Sequence, residues 1–172
     1  MAGLYLASQS PRRTELLTQV GIDHIVVSST YEEPNEGYDS PIEMVKAQAM
    51  GKARSAVGVP EGSIVLGADT IVVLDNEVLG KPQDEADARQ MLERLSGRCH
   101  SVITGLVLLI KGKEVVFHNE TKVYFKELAP FEIESYITSG EPMDKAGAYG
   151  IQGKGALWVE KIEGSYTNVV GL

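Results

Sequence analysis

The apolar positions alternate between short continuous runs and stripes at helical spacing. Leu4–Ala7 is an apolar run that predicts a buried strand, and Ser10-Pro11 then opens a helix, with Ser10 at the N-cap and Pro11 at the first helical position. Leu16, Leu17 and Val20 give that helix one apolar face, and Gly21 closes it. Ser40-Pro41-Ile42-Glu43 has the form of a capping box. It is followed by Ile42, Val45, Ala49, Ala53 and Ala56 at helical spacing, with a stop near Gly58. Ile64–Leu74 is too continuously apolar for a half-exposed strand, which predicts a place at the centre of a sheet. Asp75-Asn76-Glu77 turns the chain, and residues 84–96 predict a helix that buries Met91, Leu92 and Leu95 before Gly97. Residues 102–110 and 114–124, joined by Lys111-Gly112-Lys113, predict a long hairpin. Residues 130–139 read as a short helix, 147–155 as a glycine-rich loop and 156–162 as a last strand. Helices alternating with strands around a hairpin predict an α/β or α+β fold: a mixed twisted sheet flanked by helices, without repeat or linker, in one domain over residues 1–172.

A chain of 172 residues, 43% apolar, buries enough surface to fold without disulfides or metal staples. Its 16 Lys and Arg against 24 Asp and Glu, a net charge of -8, set a nucleic-acid backbone aside as a partner. The single cysteine, Cys99, excludes an internal disulfide and a cysteine-based zinc site and is expected to be a small buried residue. The apolar start, residues 1–7, is shorter than a signal peptide and lacks its leading charge. No run approaches the ~18 apolar residues that span a bilayer, so no membrane partner and a cytoplasmic location are expected.

Three residues break the local rules. Arg12 and Arg13 lie in the first turn of a helix, where the dipole disfavours cations by a few tenths of a kcal/mol, so something anionic is expected to compensate them. With Ser8, Ser10 and the free backbone N–H groups, the two guanidinium forks describe a phosphate cradle. The alternative is that one arginine reaches solvent while the other pairs with a carboxylate such as Glu15. Asp69 sits in the most apolar strand of the chain, where an unpartnered carboxylate costs several kcal/mol, so it needs a metal, a cation or a proton. That is the setting of a general base or metal ligand, or else of an aspartate bonded to backbone at a bulge. Thr70 projects to the opposite face if the strand is regular. Glu33 in a loop, Lys52 on the second helix and Lys81 in a Gly-Lys-Pro turn would complete an anionic-substrate site.

Other chemistries are absent at the motif level. Gly150-Ile151-Gln152-Gly153-Lys154-Gly155 follows neither the Rossmann fingerprint nor the P-loop. His24, His100 and His118 have no paired ligand spacing, and no serine sits in a nucleophile elbow.

Leu6-Ala7-Ser8-Gln9-Ser10-Pro11-Arg12-Arg13 with Glu15-Leu16-Leu17 resembles the opening motif of the Maf family of nucleotide pyrophosphatases. Gly67-Ala68-Asp69-Thr70, Gly80-Lys81-Pro82, Ser139-Gly140-Glu141-Pro142, Asp144-Lys145-Ala146-Gly147-Ala148-Tyr149-Gly150-Ile151-Gln152-Gly153 and Gly164-Ser165-Tyr166 match later family blocks in order, so the resemblance covers essentially the whole chain. It implies a Maf/ITPase-like fold, an elongated two-lobed single domain with a central cleft. It also implies hydrolysis of a nucleoside triphosphate to the monophosphate and pyrophosphate with Mg2+, Mn2+ or Co2+. The Ala148-Tyr149-Gly150-Ile151-Gln152-Gly153 form is similar to the branch acting on dTTP and UTP rather than on 7-methyl-GTP.

By the same resemblance Asp69 is the proton acceptor, Arg12, Thr70 and Gln152 bear on base specificity, and Lys52 and Lys81 hold phosphates. Ser8 and Arg13 belong to the phosphate cradle, and Glu33 with Asp69 faces the metal. The family relation further implies a homodimer and a role in clearing the nucleotide pool. A nucleotide-binding regulator of cell division and a noncanonical purine triphosphatase remain the alternatives. Family members usually continue past Val170-Gly171-Leu172 with a proline and a helix.

Overall fold

The computed structural model describes residues 3–172. In chain order it comprises β1 (Leu4–Ala7), α1 (Pro11–Gln19), β2 (Ile25–Val27), α2 (Pro41–Arg54), β3 (Ile64–Leu74), β4 (Glu77–Leu79), α3 (Glu85–Leu95), β5 (Cys99–Ile110), β6 (Lys113–Phe125), α4 (Pro130–Thr138), β7 (Val159–Glu163) and α5 (Tyr166–Val170). Tight 3-10 turns occupy Glu141–Asp144, Ala146–Ala148 and Lys154–Trp158. The seven strands form one sheet in the order β2-β1-β3-β5-β6-β7, with β4 on β3. β1 runs parallel to β2 and β3, whereas β3–β4 and β6–β7 are antiparallel, so the sheet is mixed. β3 is interior, as its continuous apolar run predicts.

The chain divides into two compact units. The first holds the residues up to Thr70, Thr104–Asn119 and Gly171–Leu172. In it, alternation along β3 sends side chains to two faces. Leu6 and Leu66 meet Leu17 of α1 on one face, while Ala7, Val65 and Val107 meet Ala49 and Ala53 of α2 on the other. α2 lies unusually close to the sheet because two glycines face it. A Cβ at Gly67 would stand 2.2 Å from the Ala49 carbonyl oxygen, and one at Gly105 2.6 Å from that of Val45. The second unit, Ile71–Ile103 with Glu120–Val170, packs α3 and α4 on a core that includes Leu74, Leu92, Val123, Tyr136 and Trp158.

Several predicted boundaries move. The last strand begins at Val159 rather than 156, because Lys154–Trp158 coils into a 3-10 turn. The glycine-rich loop over 147–155 likewise runs into a 3-10 turn at each end, Ala146–Ala148 and Lys154–Trp158. Three short elements carry too few residues to show a period: β2, whose Ile25 and Val26 are exposed at the sheet edge; β4, which starts at Glu77; and α5. Cys99, expected inside, is exposed, because it opens β5 with the alternation that turns His100 inward. The capping box at Ser40 is half made: its hydroxyl accepts the Glu43 N–H, but the Glu43 carboxylate turns to Lys46. Among the described residues no helix is long and apolar enough to cross a membrane.

Candidate active site

The close approach of α2 decides what Asp69 meets. Asp69 is 8% exposed and its Oδ1 accepts a hydrogen bond from Lys52 Nζ at 2.7 Å. The same ammonium lies 3.0 Å from Glu33 Oε1, so two carboxylates from a strand and a loop converge on one cation. Lys52 and Asp69 are both largely buried, while the Glu33 side chain is half exposed. The partner that a carboxylate in an apolar strand requires is therefore a lysine one helix away.

The loop that carries Glu33 is fastened along one face of α2. Gln48, one turn before Lys52, is fully buried and donates from Nε2 to the Pro34 carbonyl at 2.6 Å. The Tyr31 ring lies against Gly51, where a Cβ would be 2.3 Å from it. The hydroxyls of Ser29 and Ser55 share a hydrogen bond at 2.7 Å. Tyr38 feels the same site: partial burial, a hydrogen bond with Tyr31 and the charges of Asp69 and Glu33 push its phenol up to about 12. Gln48, Tyr31 and Tyr38 escaped the sequence reading. Gln48 alone left a signal, a polar residue on the otherwise apolar stripe of α2.

Thr70 does not join Asp69. It projects to the α1 face, where its hydroxyl bonds to Thr104 at 2.9 Å and accepts from Arg13 Nη2 at 3.1 Å. Arg13 also donates from Nη1 to Ser8 Oγ at 2.9 Å and from Nε to the Gly171 carbonyl at 2.7 Å. Ser8 Oγ accepts the Ser10 N–H as well; Ser10 is the N-cap of α1, as predicted, but its side chain makes no capping bond. Burial pulls the Arg13 guanidinium down to about 10, with the charge of Asp69 opposing the fall and that of Arg12 adding to it. Within the chain this fork bonds three neutral oxygens, and Glu15 is not among its partners. Arg12 is half-buried in the same first turn.

In the second unit, Lys81 and Gln152 are both exposed. Lys81 lies in the turn between β4 and α3, next to Gly80, whose carbonyl accepts the Gly147 N–H at 3.0 Å. That bond ties the lysine turn to the segment that leads into Gln152.

A family model described as "Maf-like protein" matches residues 3–172. The chain belongs to the Maf family. The Maf chain is 54% identical over its whole length to a dTTP/UTP pyrophosphatase of Symbiobacterium thermophilum, covering 89% of it. A protein of the same name from Bacillus cytotoxicus is 51% identical, with 100% of this chain and 90% of the relative covered. One from Dictyoglomus turgidum is 50% identical, with 98% and 89% covered. Among solved structures, the Staphylococcus aureus Ham1 protein aligns with 72% of this chain and 71% of its own at a TM-score of 0.44 and 12% identity, a likeness too weak to add to the family match.

The donor set suits a hard divalent cation. Glu33 and Asp69 each bring an anionic oxygen to the Lys52 ammonium, and one or two carboxylates plus substrate phosphates is the donor set that holds Mg2+. Among the described residues no three His, Cys, Asp or Glu side chains gather into a ready-made cage, so the phosphates would have to supply the remaining ligands.

Proposed function

We propose that this chain is a nucleoside triphosphate pyrophosphatase that hydrolyses dTTP and UTP to the monophosphate and pyrophosphate. The observation that carries the reading is the buried Asp69 carboxylate held at 2.7 Å by Lys52, with Glu33 on the same ammonium. Full-length relatives near 50% identity, named for that activity, support it.

Water attacks the α-phosphorus in line with the departing pyrophosphate, and Asp69 accepts its proton. Lys52 fixes the carboxylate's orientation before substrate arrives and offers its charge to the phosphates afterwards. Arg12 and Lys81 neutralise the triphosphate and the leaving group. Arg13 adds its positive field while its fork holds Ser8 and Thr70 in place. Gln152 presents a donor and an acceptor on one amide, which matches the O4 and N3–H edge of uracil or thymine. A divalent cation, Mg2+, Mn2+ or Co2+, held by Glu33 and Asp69, would neutralise charge on the phosphates and on the leaving pyrophosphate. The chain acts as a cytoplasmic homodimer that clears the nucleotide pool, without nucleic-acid or membrane partners.

The test is pyrophosphate and phosphate release from dTTP, UTP, CTP, ITP and 7-methyl-GTP with Mg2+ or Mn2+, beside light scattering for the oligomer. Pyrophosphate from dTTP and UTP is expected. Nucleotide binding without turnover across the panel would sink the enzyme reading in favour of a regulator, and preference for ITP would move it to the purine class.

A further inference from the structure

The glycine-rich segment around Gln152 is held at both ends by two side chains that the mechanism does not use. Tyr136 of α4 is 2% exposed, and its ring stands edge-on to Trp158 with centroids 4.6 Å apart, so the core fixes its hydroxyl. That hydroxyl accepts the Gly150 N–H at 3.1 Å and donates to Glu141 Oε1 at 3.1 Å. The Glu141 carboxylate in turn accepts the Lys154 N–H at 3.1 and 3.3 Å. Gly150 and Lys154 bracket residues 151–153, whose middle member is Gln152.

The glycines are explained by this hold. A Cβ at Gly153 would lie 1.9 Å from Glu141 Oε1, and one at Gly155 would lie 2.6 Å from the Gly150 carbonyl oxygen, so carboxylate and backbone can close on the arc only where side chains are missing. Tyr149, just before the arc, is anchored to His100 at 2.6 Å. Lys145 Nζ bonds the Glu141 carbonyl at 2.7 Å. Burial raises the Tyr136 phenol far above its ordinary pKa, with the Gly150 N–H pulling the other way and the Glu141 charge adding to the rise, so its proton stays available to Glu141.

We propose that Tyr136 and Glu141 are positioning residues that fix both ends of the Gln152 arc and thereby set the selectivity between pyrimidine triphosphates. The inference rests on the reading of Gln152 as the base contact. A loop free at its ends would let the amide rotate and meet the uracil edge and the reversed cytosine edge equally well. Held at Gly150 and Lys154, it presents one orientation.

The experiment measures kcat and KM for UTP, dTTP and CTP, with thermal melting, for Tyr136→Phe, Glu141→Gln, Glu141→Ala and Gln152→Ala. Tyr136→Phe keeps the buried ring and should raise KM for UTP and dTTP about tenfold, the upper range for one hydrogen bond, while kcat changes little. Its UTP-to-CTP ratio should fall to that of Gln152→Ala. Glu141→Gln keeps an acceptor oxygen and should retain the ratio that Glu141→Ala loses. A merely structural role would lower the melting temperature and slow all three substrates equally. If Gln152→Ala collapses the ratio while Tyr136→Phe and Glu141→Ala leave it intact, the positioning role is overturned. If Gln152→Ala itself leaves the ratio unchanged, the base-contact reading fails and takes this inference with it. Should Tyr136→Phe not fold, the two Glu141 variants decide.

Discussion

Mild acid should destabilise this protein through one residue, His100. The imidazole is 3% exposed, wedged edge-on between Phe125 and Tyr149, and burial lowers its pKa from 6.5 to about 4. Nε2 shares a hydrogen bond with the Tyr149 hydroxyl, while Nδ1 has no hydrogen-bond partner among the described residues to stabilise a second proton. The folded pKa is below the unfolded one, so between those values the unfolded chain binds more protons than the native one. The stabilisation is complete above about pH 6.5 and is lost as pH falls towards 4. The slope approaches 1.36 kcal/mol per pH unit, which makes the loss about 2 kcal/mol at pH 5 and about 3 kcal/mol below pH 4. The surface carboxylates with lowered pKa, Glu77, Glu132, Glu134 and Glu163, start from 4.5 and so act only below the upper part of this window. Urea unfolding at pH 7.5, 6 and 5, for wild type and for His100→Gln, separates the two. His100→Gln can still bond Tyr149 but does not titrate, and its stability should be flat over that range. A wild type equally flat, or a variant with the same slope, would refute the argument.

Lys52→Met leaves two carboxylates facing each other beside the sheet. Because the Lys52–Asp69 pair is almost wholly buried, the loss should reach about 3 kcal/mol together with turnover; an unchanged melting temperature would contradict it. Gly67→Ala drives a Cβ into the Ala49 carbonyl, so α2 must lift, costing about 1–3 kcal/mol and carrying Lys52 away from Asp69; full activity in that variant would show that the close approach is dispensable. Arg13→Lys replaces three directed donors by one flexible ammonium and should cost about 2–3 kcal/mol by urea titration, with recovery of less than half of that at high salt, since the lost bonds are to neutral oxygens.

The sequence made the long elements legible because each has a period or a stop: the apolar run of β3, the alanine stripe of α2, Gly97 after α3. Asp69 was legible for the opposite reason, as a charge where the pattern forbids one. The identity of its partner was not, because Lys52 and Asp69 are 17 residues apart and meet only once Gly67 and Gly105 let α2 settle on the sheet. Arg13 announced itself as an anomaly, but its bond to the Gly171 carbonyl, 158 residues further along the chain, was not legible. Gln48, Tyr136 and Glu141 act through backbone groups, and a backbone carbonyl or N–H leaves no mark in a sequence.

Asp69→Asn decides whether the Asp69 carboxylate takes the proton from the attacking water. The amide keeps the size and the contact with Lys52 but cannot act as the base. Pyrophosphate release from UTP should fall by at least 10²-fold, with nucleotide binding retained and the circular dichroism spectrum unchanged. Turnover near that of wild type in a folded Asp69→Asn protein would contradict the account.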